Sequence, residues 1–167
     1  MKVINISGNP NTGKTTLLTM LRNQVSPLPN NRFEELTNEK RDFVGVYTID
    51  PRISSEKSND LGRTYKIAII TEGDSAWAIH KNLNVLEGLI NHNQLETQEI
   101  KCLFFTSHRL WGKTKEDITK RLSQIFGQEL DRYYYATTSV HEADSEAIWR
   151  QQKRDLMDLI LKEIKFP

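Results

Sequence analysis

Residues 8–15, GNPNTGKT, join two segments of opposite character, and no other feature constrains the fold of this chain as strongly. On one side, KVINIS (2–7) is a short β-branched run that reads as a buried strand. On the other, TTLLTMLRNQV (15–25) is rich in helix formers until SPLPNN stops it. Strand, glycine-bearing loop and helix therefore follow one another directly.

The rest of the chain continues this alternation. Residues 26–42 are polar, include Pro27 and Pro29, and read as a surface loop. FVGVYTI (43–49) and TYKIAIIT (64–71) read as strands. They fit a hairpin, although the polar connection 50–63 is too long to fix a turn type. Ala76, Ile79, Leu83, Leu86 and Ile90 recur at alternating steps of three and four, one face of a helix. IKCLFFTS (100–107) is a continuous apolar run, as in a strand covered on both faces. Thr114 and Asp117 resemble a capping box, and Ile118, Leu122 and Ile125 carry a helical stripe to Gly127. DRYYYATT (131–138) reads as a last strand and residues 143–164 as a long closing helix. The predicted architecture is α/β: three layers, about five strands in a mostly parallel sheet, helices on both faces, one domain over 1–167.

Composition narrows the function classes. A chain of 167 residues, 37% hydrophobic and 27% charged, suits one soluble globular domain. A formal net charge of +1 supplies no global field to recruit nucleic acid or an acidic membrane. Tyr133, Tyr134 and Tyr135 lack interleaved Lys or Arg and read as strand packing, so nucleic acid is not indicated. The single cysteine, Cys102, lies in an apolar run and reads as a buried structural thiol. His80, His92, His108 and His141 show no metal-ligand spacing. The N-terminus lacks the apolar stretch of a signal peptide, and nowhere do 18 apolar residues run together. A cytoplasmic protein with no membrane insertion is the expectation.

The loop itself has a chemical meaning. Gly8, Gly13, Lys14 and Thr15 spell G-x-x-x-x-G-K-T. Phosphate oxygens need several donors converging on a small volume, and backbone N–H groups supply them where glycine lets the chain turn and approach. A helix beginning near Lys14 adds its first-turn N–H groups and the positive end of its dipole. Lys14, expected at the surface of a preformed loop, would neutralise β- and γ-phosphates, and the Thr15 hydroxyl would complete a Mg²⁺ shell.

With these residues the chain resembles the P-loop NTPases. GNPNTGKTTL (8–17) in particular looks like the loop of translation-factor-related GTPases and of bacterial ferrous-iron uptake proteins. The close match extends over those residues alone. It implies a P-loop nucleotide-binding domain in which Gly8, Asn9, Pro10, Asn11, Thr12, Gly13, Lys14, Thr15 and Thr16 hold a nucleoside triphosphate, with Thr16 beside the α-phosphate. A GTPase of that kind also needs Asp-x-x-Gly after its third strand and Asn-Lys-x-Asp after its fourth. The corresponding stretches here, TEGD (71–74) and TSHRLWGK (106–113), do not fit. Without the Asp that reads the guanine edge, ATP is favoured over GTP.

Magnesium calls for a carboxylate at the end of an apolar strand. Asp74 and Glu72 follow AIIT, and Asp50 ends FVGVYTI. Asp74 is the first candidate for the metal, together with Thr15, although it equally suits the N-cap of the helix near Ser75. Glu72 suits a carboxylate that positions a water or accepts a substrate proton. Just past the apolar strand 100–107, Arg109 and Lys113 stand where α/β sheets bind ligands; either cation would stabilise charge on a transferring phosphoryl group, or the two belong to a solvated basic loop that pairs with Glu116 or Asp117. Trp111 between them reads as a lid anchor or core plug, and His108 as a second phosphate contact or a solvated residue. Thr138, Ser139 and His141 are candidates for the base or for helix initiation.

Three functions remain in play. The first is a small Mg²⁺-dependent NTPase hydrolysing ATP (or GTP) as a switch or for a protein partner. The second is a kinase passing the γ-phosphoryl group to a nucleotide or other small-molecule acceptor. The third is a module that holds nucleotide with little turnover and signals through a partner.

Overall fold

The elements run β1 (Lys2–Ser7), α1 (Lys14–Val25), β2 (Arg32–Leu36), β3 (Phe43–Thr48), β4 (Lys66–Ile70), α2 (Ala76–His92), β5 (Ile100–Ser107), α3 (Gly112–Phe126), β6 (Asp131–Ala136) and α4 (Glu146–Lys165). A 3-10 turn, Thr97–Glu99, leads into β5. This computed structural model describes residues 1–9, 12–25, 32–37, 42–49, 65–73, 75–108, 112–127, 129–136 and 146–165. Its strands form one sheet in the order β2-β3-β4-β5-β1-β6.

Alternating residues of the central strands feed two separate cores, which is why their sequences read as unbroken apolar runs. Ile4 and Ile6, Ile67 and Ile69, and Cys102 and Phe104 face α1 and α4, packing with Leu17, Leu18, Leu21, Met157 and Ile160. Val3, Ala68, Ile70, Leu103 and Phe105 face α2 and α3, packing with Ile79, Leu83, Leu86, Ile118 and Leu122. Burying each large side chain contributes about 1.5–3 kcal/mol, so the two cores bind the three layers together. Cys102 is fully buried, as its apolar neighbours predict. Ala76, expected on the buried face of α2, is exposed; the buried stripe starts at Ala78 and Ile79. Ser75 caps that helix, its side chain accepting from Ala78 N–H at 3.1 Å. Among the described residues no helix is long and apolar enough to cross a membrane.

The sheet is mixed and has six strands where about five were expected, with three parallel pairings and two antiparallel ones. β4, β5, β1 and β6 are parallel, whereas β3 pairs antiparallel with β4 and β2 antiparallel with β3. The hairpin of β3 and β4 is the one their sequences fit. β2 lies inside the stretch read as a loop, because RFEEL lacks an apolar period and Glu34, Glu35 and Leu36 are exposed. As an edge strand it needs no buried face. Contacts distant in sequence hold it: Tyr47 Oη donates to Glu34 Oε2 at 2.6 Å, and Arg22 pairs with Glu34 at 3.0 Å.

Reversal of β3 has a consequence for chemistry. Its first residues lie at the end of the sheet where β4, β5 and β1 finish, with Val44 opposite Ile70. A side chain just ahead of β3 is thereby delivered to the edge where α/β sheets bind ligands.

Candidate active site at the loop after the first strand

The loop between β1 and α1 is anchored at both ends. Gly8 N–H donates to Ser107 C=O at 3.1 Å, tying the loop to the end of β5. Thr12 Oγ1 donates to Asn9 C=O at 2.9 Å and closes the turn. Gly13 has φ of 77°, a left-handed backbone that side chains disfavour. Leu17 N–H bonds to Gly13 C=O at 2.9 Å, so the first-turn amides of α1, from Lys14 to Thr16, precede this first intrahelical bond and face the loop.

Lys14 departs from the expectation of a surface position. It is 6% exposed, and its ammonium donates to the carbonyls of Gly8 and Asn9, each at 2.9 Å. The loop turns carbonyls as well as amides inward, and the cation bridges them. Thr15 Oγ1 lies 3.0 Å from Asp42 Oδ1 and 3.4 Å from Thr71 C=O, and it donates to these oxygens. Thr16 is exposed.

The ends of β4 and β5 close the site from the other side. Thr106 Oγ1 donates to Thr71 C=O at 2.5 Å, and Ser107 Oγ donates to Asn5 Oδ1 at 2.8 Å. Gly73 lies on the end of β5, so close that a Cβ there would meet the Thr106 carbonyl oxygen. Between these two fixed points stands Glu72. Its own carbonyl accepts from Asn82 Nδ2 at 2.8 Å, and its carboxylate Oε2 is buried with no hydrogen-bond partner among the described residues. A buried carboxylate oxygen without a donor is costly.

Among the residues the sequence singles out, the structure therefore brings Gly8, Asn9, Thr12, Gly13, Lys14 and Thr15 together with the Thr71–Gly73 turn. Pro10, Asn11, Asp50, Asp74, Arg109, Trp111, Thr138, Ser139 and His141 lie outside the described residues. Lys113, in the first turn of α3, is exposed, and His108 is half-buried at the end of β5. A surface groove of about 610 Å³ lined by Trp77, His80, Lys81, Asn84 and Val85 lies along α2 and contains none of the loop residues.

Three participants escaped the sequence reading. Asp42 sits in a polar stretch with no local pattern to mark it. Asn82 occupies a fully buried place beside Leu83 on α2, where an amide among apolar residues is the available signal. Lys153 is 5% exposed and donates from α4 to the main-chain oxygen of Thr12. It precedes Met157 and Ile160 at helical spacing, so a lysine inside an apolar stripe was there to be noticed. Burial holds the Lys153 ammonium below its ordinary value, and the neighbouring Lys14 cation pushes it the same way.

Two cations, a glycine-bearing loop and the start of α1 suit a polyanion, and the surrounding donors to a metal are hydroxyl, carbonyl and carboxylate oxygens. Oxygen donors match Mg²⁺. Among the described residues no group of three His, Cys, Asp or Glu assembles a metal site. No protein-family model, curated protein or solved structure matches the chain.

Proposed function

We propose that the chain is a P-loop nucleoside-triphosphatase that binds ATP in preference to GTP and hydrolyses its γ-phosphate with Mg²⁺. The buried Oε2 of Glu72, without a hydrogen-bond partner among the described residues, carries this reading, because the preceding residue, Thr71, meets the Thr15 hydroxyl beside the phosphate loop. The preference for ATP follows from TSHRLWGK, which offers no Asp to the guanine edge.

In this mechanism Lys14 exchanges the Gly8 and Asn9 carbonyls for phosphate oxygens, and the first-turn amides of α1 hold the same group. Thr15 supplies a hydroxyl to the metal. Mg²⁺, when bound, neutralises charge on the β- and γ-oxygens. Glu72 orients a water in line with the γ-phosphorus and accepts its proton. The water oxygen bonds to phosphorus as the bridging P–O bond to the β-phosphate breaks, giving the diphosphate and inorganic phosphate. Lys153, behind Thr12, keeps the loop in position.

Incubation with Mg²⁺ and γ-labelled ATP or GTP, alone and with nucleotide and sugar acceptors, tests the reading. Free labelled phosphate without an acceptor is the expected product. Label on an acceptor would replace hydrolysis with phosphoryl transfer, and bound but intact nucleotide would make the chain a sensing module. Absence of any nucleotide binding would overturn all three.

A further inference from the structure

We propose that Asp42 provides the carboxylate of the Mg²⁺ site, delivered to the phosphate loop by the antiparallel course of β3. The inference rests on the triphosphate reading above and deepens it.

Three observations meet at this residue. First, Asp42 Oδ1 is 3.0 Å from Thr15 Oγ1, the hydroxyl that the loop offers to a metal. A hydroxyl and a carboxylate oxygen side by side are two hard donors of the kind Mg²⁺ takes alongside phosphate oxygens. Second, the place is built rather than incidental. Thr37 N–H donates to Asp42 C=O at 2.9 Å, and Thr71 grips the next residue: its Oγ1 accepts from Phe43 N–H at 2.7 Å while its N–H donates to Phe43 C=O at 3.0 Å. The carboxylate is thus carried on a backbone held from both sides. Third, the end of β4 does not offer an acid at the position facing Thr15. Thr71 occupies it, approaching Thr15 with its carbonyl and spending its side chain on Phe43.

The division of labour follows from these contacts. Asp42 balances the metal's charge on the Thr15 side, and Glu72 is left to handle water. A carboxylate reaching the metal from the start of an antiparallel strand also couples the β2–β3 hairpin to nucleotide occupancy, since Thr37 and Asp42 are joined across its mouth.

The test is calorimetry of the β,γ-imido analogue of ATP, repeated with that of GTP, in Mg²⁺ and in EDTA. Asp42→Asn preserves the size of the side chain and an acceptor for Thr15. It should bind the analogue in EDTA as the wild type does, while the gain in affinity that Mg²⁺ confers falls about tenfold or more. With Mn²⁺ in place of Mg²⁺, the electron paramagnetic resonance spectrum of the ternary complex should change in the variant. Asp42→Ser serves the same comparison if the Asn variant does not fold. An undiminished Mg²⁺ gain in the variant overturns the proposal while leaving the nucleotide site standing. Equal loss with and without Mg²⁺ also overturns it, by making Asp42 a brace of the loop. Failure of the wild type to bind either analogue removes the triphosphate reading itself, and this proposal with it.

Discussion

A Cβ added to Gly73 would stand 1.5 Å from the main-chain oxygen of Thr106, so the turn after β4 rests directly on the end of β5. No rotamer change relieves a clash between a Cβ and a backbone oxygen; the turn itself must move. Gly73→Ala should therefore destabilise the fold by about 1–3 kcal/mol, the usual cost of overpacking. The same shift drags Glu72 from its place between the Thr71 and Gly73 anchors, so turnover should fall more than stability alone explains. Urea unfolding and steady-state hydrolysis check the two effects. A stability change below about 0.5 kcal/mol would show that the turn has slack.

Lys14→Ala separates ligand binding from folding. The ammonium bridges two loop carbonyls, so its removal costs hydrogen bonds, yet it also relieves the charge pressed against Lys153. These opposing terms should leave a net stability loss of no more than about 2 kcal/mol. Affinity for a triphosphate should drop about a hundredfold or more, because the chief cation for the β- and γ-phosphates is gone. Calorimetry and thermal melts report the two quantities. Unchanged affinity in a folded variant would remove the phosphate assignment.

Lys153 gives a prediction in pH. Its folded-state value lies below the ordinary 10.5, so the unfolded chain holds that proton more tightly. Stability contributed at this site is therefore fully present above 10.5 and is lost as pH falls through the depressed value. Tyr47 and Tyr65 act oppositely, since burial pushes both hydroxyls up and stability falls once the unfolded chain ionises them. Comparing wild type with Lys153→Met cancels the tyrosines. Denaturation series across the alkaline range should show the wild type gaining on the variant as pH rises. A parallel pair of curves would mean that Lys153 keeps its ordinary affinity for the proton.

Features legible in the sequence are those carried by local period. Ile79, Leu83, Leu86 and Ile90 mark α2, and Gly8, Gly13, Lys14 and Thr15 mark the loop, because spacing along the chain is the whole of their signal. β2 and Asp42 were not legible for a shared reason. Glu34 is held by Tyr47 and Arg22, and Asp42 by Thr15 and Thr37, all through contacts that exist only once the sheet has formed. A charged residue waiting for a distant partner looks in sequence like a charged residue in a loop. The antiparallel pairing of β3 with β4 was legible, because the two runs fit a hairpin; the antiparallel pairing of β2 with β3 was not.

Glu72→Gln tests the chemistry most directly. The amide is nearly the same size as the carboxylate, Asn82 still holds the main chain, and Oε2 has no hydrogen-bond partner to lose among the described residues. A purely structural glutamate would then be replaceable at little cost, because a neutral amide is cheaper to bury than a carboxylate. A glutamate that takes the proton from water is not replaceable, because the amide has no basic oxygen to receive it. Turnover in Glu72→Gln should fall by about 10²–10⁴, the usual worth of general-base catalysis, with triphosphate affinity within about threefold of wild type. Single-turnover hydrolysis beside calorimetric affinity separates the two roles. Retained turnover would assign Glu72 to the scaffold and require another group to activate the water, whereas equal losses in binding and turnover would mark it as a ground-state contact.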